Sequence, residues 1–229
     1  MTPSQAPTLA SEILNHLSSK SLIPSQAWLR SFLVTQRPTT PLAALKQTAL
    51  FRLLASDITT SLSSFPHSCF PSNIGDATVK ELHLQGPIVV QILNIEDMSK
   101  SRWEQIEAIE ALERGEGTRG REVIRVVPGE DGDNQENARK GRGPHKVLLQ
   151  DVKGTAAYGV ELKDIEGLSL AMNIGSKMVL RNAIVARGLL LLEPQTTTLL
   201  GGKIDSLHTA WKTNRKEELK AALEMNRQS

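Results

Sequence analysis

The stretch that most constrains the fold runs from Lys146 to Ile204, where short apolar runs alternate with turn residues. Val147 to Val152 is apolar and stops at Lys153-Gly154, a hairpin signal. Tyr158, Val160 and Leu162 then alternate with Gly159, Glu161 and Lys163, the period-2 pattern of a half-buried strand. Asp164 to Ser176 reads as a longer connection with room for a helical turn. Lys177 to Val185 resumes the β pattern. Gly188 opens Leu189 to Leu192, and Pro194 closes it. The shortness of that run and its Gly and Pro flanks favour a buried strand over a helix.

A further strand, Ile88 to Ile95, precedes this series, with Pro87 at its start, one of the few places a sheet tolerates proline. Five strands with a helical connection between the third and the fourth fit an OB-fold, a partly open five-stranded barrel. Upstream, residues 8–58 carry three helical patterns. Leu9, Ile13 and Leu17 form the first stripe. Trp28, Leu29, Phe32 and Leu33 form the second, with Ser25 as its N-cap. Leu42, Leu45, Ala49 and Leu53 form the third, with Thr40 as cap and Pro41 at the first helical position. A bundle of about 50 residues is marginal alone, so it is expected to pack on the sheet. Residues 59–80 read as a connector. Residues 203–229 read as a C-terminal helix that is apolar on one side of its first turns, at Leu207 and Trp211.

The expected organisation is therefore α+β. An N-terminal three-helix bundle and its connector (1–80) pack on a five-stranded OB-fold barrel (81–202), and the C-terminal helix follows (203–229). The barrel is interrupted after its first strand by the insertion 98–144. That insertion begins with a short charged helix, Ser101 to Glu113, with Trp103, Ile106 and Ile109 or Glu110 along one side. Connections of such length inside a compact domain are uncommon, and they usually carry function or lack order.

Known chemical motifs are scarce. Gly115-Glu-Gly117-Thr-Arg-Gly120 matches G-x-G-x-x-G, but a dinucleotide fingerprint needs a strand before it and a helix after it, and here that order is reversed. The Asp131-Gly-Asp133-Asn134 cluster lacks the glycine and glutamate register of a calcium loop. The five histidines have no ligand spacing, and the single cysteine makes a zinc site a poor fit. No nucleophile elbow is present. These observations favour a chain that is not an enzyme and carries no metal or cofactor. Cys69 is alone, so no intrachain disulfide forms, which points to the cytosol or nucleus. Neither a secretory signal nor a membrane-spanning run is visible.

Charge does not announce nucleic acid. The net is +2 overall: +3 for 1–80, −3 for 81–146, 0 for 147–202 and +2 for 203–229, so no region is a basic patch by count. Single-strand-binding OB-folds stack bases on aromatics in a basic groove. This sheet offers Tyr158 alone, and its plainest reading is a core residue. Protein binding is the better default.

The run from His145 to Leu207 resembles the N-terminal domain of the RecQ-mediated genome instability protein 1 family. The marks are Leu149-Gln150-Asp151 at a strand end and the Ile174-Gly175-Ser176-Lys177 turn. Gly188 with its four leucines, Glu193-Pro194 and Leu200-Gly201-Gly202 before an apolar helix complete them. The three upstream helices and the insertion also match, so the resemblance covers nearly the whole chain and looks most like the short fungal members.

The resemblance implies a non-catalytic nuclear subunit that partners a type IA topoisomerase III and a RecQ-type helicase. In the family this complex dissolves double Holliday junctions during recombination, repair and replication. The barrel docks on the topoisomerase, and the insertion reaches toward the gate that passes DNA strands. Animal members carry further C-terminal OB domains, whose role is not expected of a chain of this short type. On this reading Trp103, Ile124 and Val126 are apolar partner-binding candidates, and Arg119, Arg121 and Arg125 are charged ones. Two alternatives stay open: one in which Trp103 and Ile106 serve only to dock the insertion's helix on its own barrel, and one in which the barrel binds single-stranded or branched DNA directly.

Overall fold

The computed structural model describes residues 8–37, 39–114 and 143–227. Helices come first: α1 (Leu9–Ser18), α2 (Gln26–Val34), α3 (Leu42–Leu54) and the single turn α4 (Ile58–Ser61). Their starts are written in short polar side chains. Thr8, Ser25 and Asp57 accept the backbone N–H groups of Ser11, Trp28 and Thr59, which the first helical turn leaves without partners. The expected Thr40 cap does not form. Pro41 itself is the last extended residue (φ −59°, ψ 142°), and its carbonyl accepts the first helical bond from Leu45 N–H at 3.0 Å.

The strands are β1 (Glu81–Leu84), β2 (Ile88–Asp97), β3 (His145–Asp151), β4 (Ala156–Glu161), β5 (Lys177–Leu180), β6 (Ala183–Ala186), β7 (Leu189–Leu192) and β8 (Thr197–Gly201). Helix α5 (Arg102–Glu113) lies between β2 and β3, and α6 (Asp205–Arg227) closes the described chain. No described helix is long and apolar enough to cross a membrane.

The strand order is β1-β6-β7-β4-β3-β2-β5-β8. Strands β5 and β6 lie toward opposite ends of that order, yet only Arg181 and Asn182 separate them. The sheet must therefore curl to bring its ends together, and the parallel pairing of β7 with β4 completes the curl. This is the expected OB-fold with a different strand count, eight rather than five. The five barrel strands are β2, β3, β4, the bent pair β5–β6, and β7. The run read as one strand from Lys177 to Val185 breaks at Asn182, whose φ of 51° is left-handed, a region asparagine tolerates better than most residues. It breaks because β5 pairs with β2 and β8 while β6 pairs with β1 and β7. The short strands β1 and β8 extend the sheet. Arg187 (φ 52°) and Gly188 (φ 79°) make the two-residue β6–β7 hairpin, the primed geometry that matches strand twist.

Two apolar cores result. One fills the barrel with Val90, Ile92, Val147, Leu149, Met178 and Leu190 and is covered by Trp211 of α6. The other joins Ile13, Leu17, Phe32, Leu45 and Leu53 of the bundle to Val89 and Val179 of the sheet and Val152 of the β3–β4 turn. The bundle thus packs on the outside of the barrel, as its marginal size required. Glycine is obligatory at that junction: Gly202 (φ +100°) lies so close to α3 that a Cβ there would meet the Leu54 carbonyl oxygen.

Candidate partner-binding site

The insertion leaves and re-enters the barrel through one braced base. Asp97 ends β2 opposite His145, which begins β3, and Met98 N–H donates to Pro144 O at 2.9 Å just beyond them. On the outgoing side the Asp97 carboxylate accepts from Ser99 N–H (2.9 Å) and Ser99 Oγ–H (2.6 Å). Burial acts to raise the Asp97 carboxyl, but the Ser99 hydrogen bonds, with His145 and Lys100 nearby, outweigh it and hold it below its ordinary value. On the returning side, His145 Nδ1 lies 2.6 Å from Glu161 Oε2, which also accepts His145 N–H, while Glu161 Oε1 accepts Ile165 N–H at 2.8 Å. With Glu161 ionised, Nδ1 is the donor. Both side chains are buried and every polar contact they make is matched, the condition under which a buried pair is tolerated.

Helix α5 is clamped above this base. Ser101 and Glu104 form a reciprocal capping box: Ser101 N–H donates to Glu104 Oε2, and Glu104 N–H to Ser101 Oγ. Gln105 is buried and donates to the carbonyls of Asp97 and Lys100 while accepting from Arg215 of α6. Glu113 and Glu110 pair with Lys216 and Lys220 of α6, and Arg102 reaches both Glu96 and the Ala222 carbonyl. Trp211 Nε1–H donates to Asn94 Oδ1 at 2.9 Å, which ties α6 to β2.

Trp103 and Ile106, expected along one side of the helix, are parted. Ile106 is buried at 3% exposure and Trp103 stands out at 59%. At about 100° per residue, Gln105, Ile106 and Ile109 share an arc with Arg102, and Trp103 lies outside it. The apolar part of α5 docking thus falls to Ile106, and Trp103 faces outward. Arg119, Arg121, Ile124, Arg125 and Val126, with the glycine motif and the Asp131 cluster, lie outside the described residues.

Beside this base the sheet presents a second feature, which the sequence pattern shows with its sense reversed. The alternation in β4 is real, but Ala157, Gly159 and Glu161 point inward, while Tyr158 and Leu162 are 48% and 52% exposed. Gly159 has to face in: a Cβ there would lie 3.0 Å from a Leu192 methyl carbon and 3.3 Å from one of Val147. The outward face therefore gathers Leu148, Tyr158, Val160, Leu189, Leu191 and Ile184 through the registers of β3, β4, β7 and β6. Lys146, next to His145 at the insertion base, sets its ammonium 4.3 Å from the Tyr158 ring centroid. A groove of about 190 Å³ between this face and α6, lined by Tyr158, Lys146, Glu96 and Arg215, joins the apolar face to the base. A contiguous apolar face of this kind is a candidate interaction site.

No group of three or more His, Cys, Asp and Glu is placed to hold a metal ion among the described residues. The model of the RMI1 N-terminal OB-fold domain matches residues 70–215. The chain belongs to the RMI1 family. The model of the RMI1 N-terminal helical domain matches residues 17–61. The chain is similar to RecQ-mediated genome instability protein 1 of Schizosaccharomyces pombe, 29% identical over 242 aligned positions that cover 96% of this chain and 97% of that protein. It is also similar to the proteins of that name from Xenopus laevis (27% identical, 65% of this chain, 25% of that one) and Mus musculus (26%, 68% and 24%). The chain thus spans about a quarter of the length of the frog and mouse members and nearly all of the fission-yeast member. Two of the segments that mark the RMI1 resemblance meet in space. Ser176 Oγ–H donates to Gly202 O at 2.8 Å, and Ile204 N–H donates to Ile174 O, continuing the β5–β8 pairing to the point where α6 departs.

Proposed function

We propose that this chain serves genome stability as a non-catalytic scaffold and modulator of a nuclear complex between a RecQ-type helicase and a type IA topoisomerase III. In that role it promotes decatenation and double Holliday junction dissolution. One observation carries this reading: an outward apolar sheet face continues into the fully hydrogen-bonded base of the insertion. The face supplies a docking surface, and the base fixes how the insertion is presented to whatever docks there. An insertion regulates a gate by binding one gate state better than another, and about 1.4 kcal/mol of difference shifts that equilibrium tenfold.

The face is poorly suited to the alternative, direct binding of single-stranded or branched DNA. Its neighbours to Tyr158 are aliphatic, and Lys146 already lies over the Tyr158 ring.

Two variants separate docking from regulation. Leu189→Glu places a charge in the middle of the apolar face, and it is expected to abolish co-purification with topoisomerase III while leaving the fold intact. Deletion of residues 115–142 keeps Gly143 and Pro144 at the base; it is expected to leave topoisomerase binding intact and to lower decatenation of linked DNA circles. Full binding by Leu189→Glu sinks the docking face. Unchanged decatenation by the deletion sinks the modulator role. Tight single-stranded DNA binding by the isolated chain, with a steep salt dependence, favours the alternative.

A further inference from the structure

Helices α2 and α3 carry an outward groove of about 280 Å³ lined by Trp28, Ser31, Phe32, Thr35, Phe51 and Arg52. We propose that this groove docks an acidic amphipathic peptide segment of a partner protein, separately from the insertion and the sheet face.

The apolar half of the argument is exposure. Phe51 is 74% exposed on α3, and Val34 is 86% exposed at the end of α2. Neither serves the bundle's own core, which takes Phe32, Leu45, Ala49 and Leu53 instead. Phe51 stands at the rim of a groove floored by the Trp28–Phe32 ring pair, an arrangement that receives an apolar anchor from a partner helix.

The polar half is charge of a single sign. No acidic residue occurs between Glu12 and Asp57, whereas Lys20, Arg30, Arg37, Lys46 and Arg52 do. The net of +3 over 1–80 hides this run, because Glu12, Asp57 and Asp76 lie outside it. Lys46 is paired with Glu12 at 2.7 Å. Arg30, Arg37 and Arg52 are exposed and form no ion pair among the described residues. Arg52 is held in place at the groove. Its Nη1–H donates to Thr35 Oγ1 at 3.0 Å, and its guanidinium carbon lies 5.7 Å from the Phe32 ring centroid. The nearest acid in sequence, Asp57, is engaged by Thr59 N–H and Gln91 Nε2–H at the head of α4. An apolar slot with the exposed Arg52 at its rim, on a bundle whose other charges between Glu12 and Asp57 are basic, fits apolar anchors flanked by carboxylates, which arginine grips in two-pronged hydrogen bonds.

Nucleic acid fits the groove less well. Base stacking needs free ring faces. Trp28 and Phe32 stack on one another, with centroids 5.4 Å apart and planes 5° apart, and Phe32 is buried. Of the groove's rings, that leaves Phe51 as the fully outward one.

The test is a phage-display selection of random linear peptides on the full chain, followed by fluorescence anisotropy of the enriched peptide. Enriched sequences are expected to place Leu or Phe at i and i+4 among Asp and Glu. Phe51→Glu and Arg52→Glu are each expected to weaken the selected peptide by about tenfold or more, with thermal unfolding unchanged because both side chains are exposed. A selection that returns no binder or no acidic excess overturns the proposal. So does a peptide that binds Phe51→Glu as well as the wild type. Displacement of the peptide by an oligothymidylate at equal concentration also overturns it, and assigns the face to nucleic acid.

Discussion

Two regions of this chain bury charged side chains, and they handle them in opposite ways. At the base of the insertion, Glu161 meets His145 and two backbone N–H groups, Asp97 meets Ser99, and Gln105 bridges to α6. At the seam between bundle and barrel, Lys177 is fully buried, yet its ammonium donates to one carbonyl, Gly175 O at 2.7 Å, and no carboxylate lies within ion-pair distance among the described residues. Asp57 acts on it only from farther off. Its neighbour Gln91 is better served, binding Ile58 N–H, Asp57 and Gln150. The contrast shows where polar bracing is concentrated. The base holds its shape through matched polar contacts, whereas the seam relies on the apolar packing around Val89, Val152 and Val179 and tolerates an under-served cation.

The largest effect is expected from breaking the base. Glu161→Ala leaves the His145 ring and the N–H groups of His145 and Ile165 without their acceptor in a buried place. It is expected to lower stability by about 3–5 kcal/mol, the usual cost of removing one partner from a buried pair, read as a shift in the urea midpoint. A loss under about 1 kcal/mol would mean that water or rearrangement serves those donors and that the base is not rigid.

The seam responds to pH instead. Burial pushes the Lys177 amine down from 10.5 to about 8, with the distant Asp57 offsetting part of the shift. Between those values the unfolded chain holds a proton that the folded chain has released. The unfolded state therefore binds more protons, and stability rises with pH from about 8 toward 10.5, with a slope of at most about 1.4 kcal/mol per pH unit. Below that window the ammonium is charged in both states and the slope vanishes. Lys177→Met removes the slope and, at neutral pH, is expected to be as stable as the wild type or more so, because an apolar side chain of similar length suits the site. Equal pH slopes for variant and wild type, measured by urea unfolding across this window, would sink the idea.

What the sequence revealed follows the same division. Helical stripes, the Ser25 cap, the β3–β4 turn and the position of the insertion were legible, because period and turn chemistry are local. The inward sense of β4 was not. Ala157, Gly159 and Glu161 look like an outward face until the close approach of Leu192 and Val147 to Gly159 and the reach of His145 across to Glu161 are known, and both are long-range facts. The outward apolar face was missed for that reason, with Tyr158 assigned to the core. The charge gap from Glu12 to Asp57 was legible, and summing over a wider window concealed it. Of the six partner-binding candidates in the insertion, Trp103 alone falls within the described chain, so the other five rest on the family resemblance.

Trp103 offers the smallest and sharpest test of whether the braced base is a mount for something else. It stands 59% exposed on a helix whose buried contact is made by Ile106. Side chains this exposed change stability by no more than about 0.5 kcal/mol when truncated, so Trp103→Ala is expected to melt with the wild type. Ile106→Ala, by contrast, empties a buried position and loses about 2–5 kcal/mol. If α5 exists to present Trp103 to a partner, Trp103→Ala lowers decatenation in the reconstituted topoisomerase assay with no change in melting. If both stability and decatenation are unchanged, α5 is a strut whose outer side is idle, and partner recognition has to be sought outside α5.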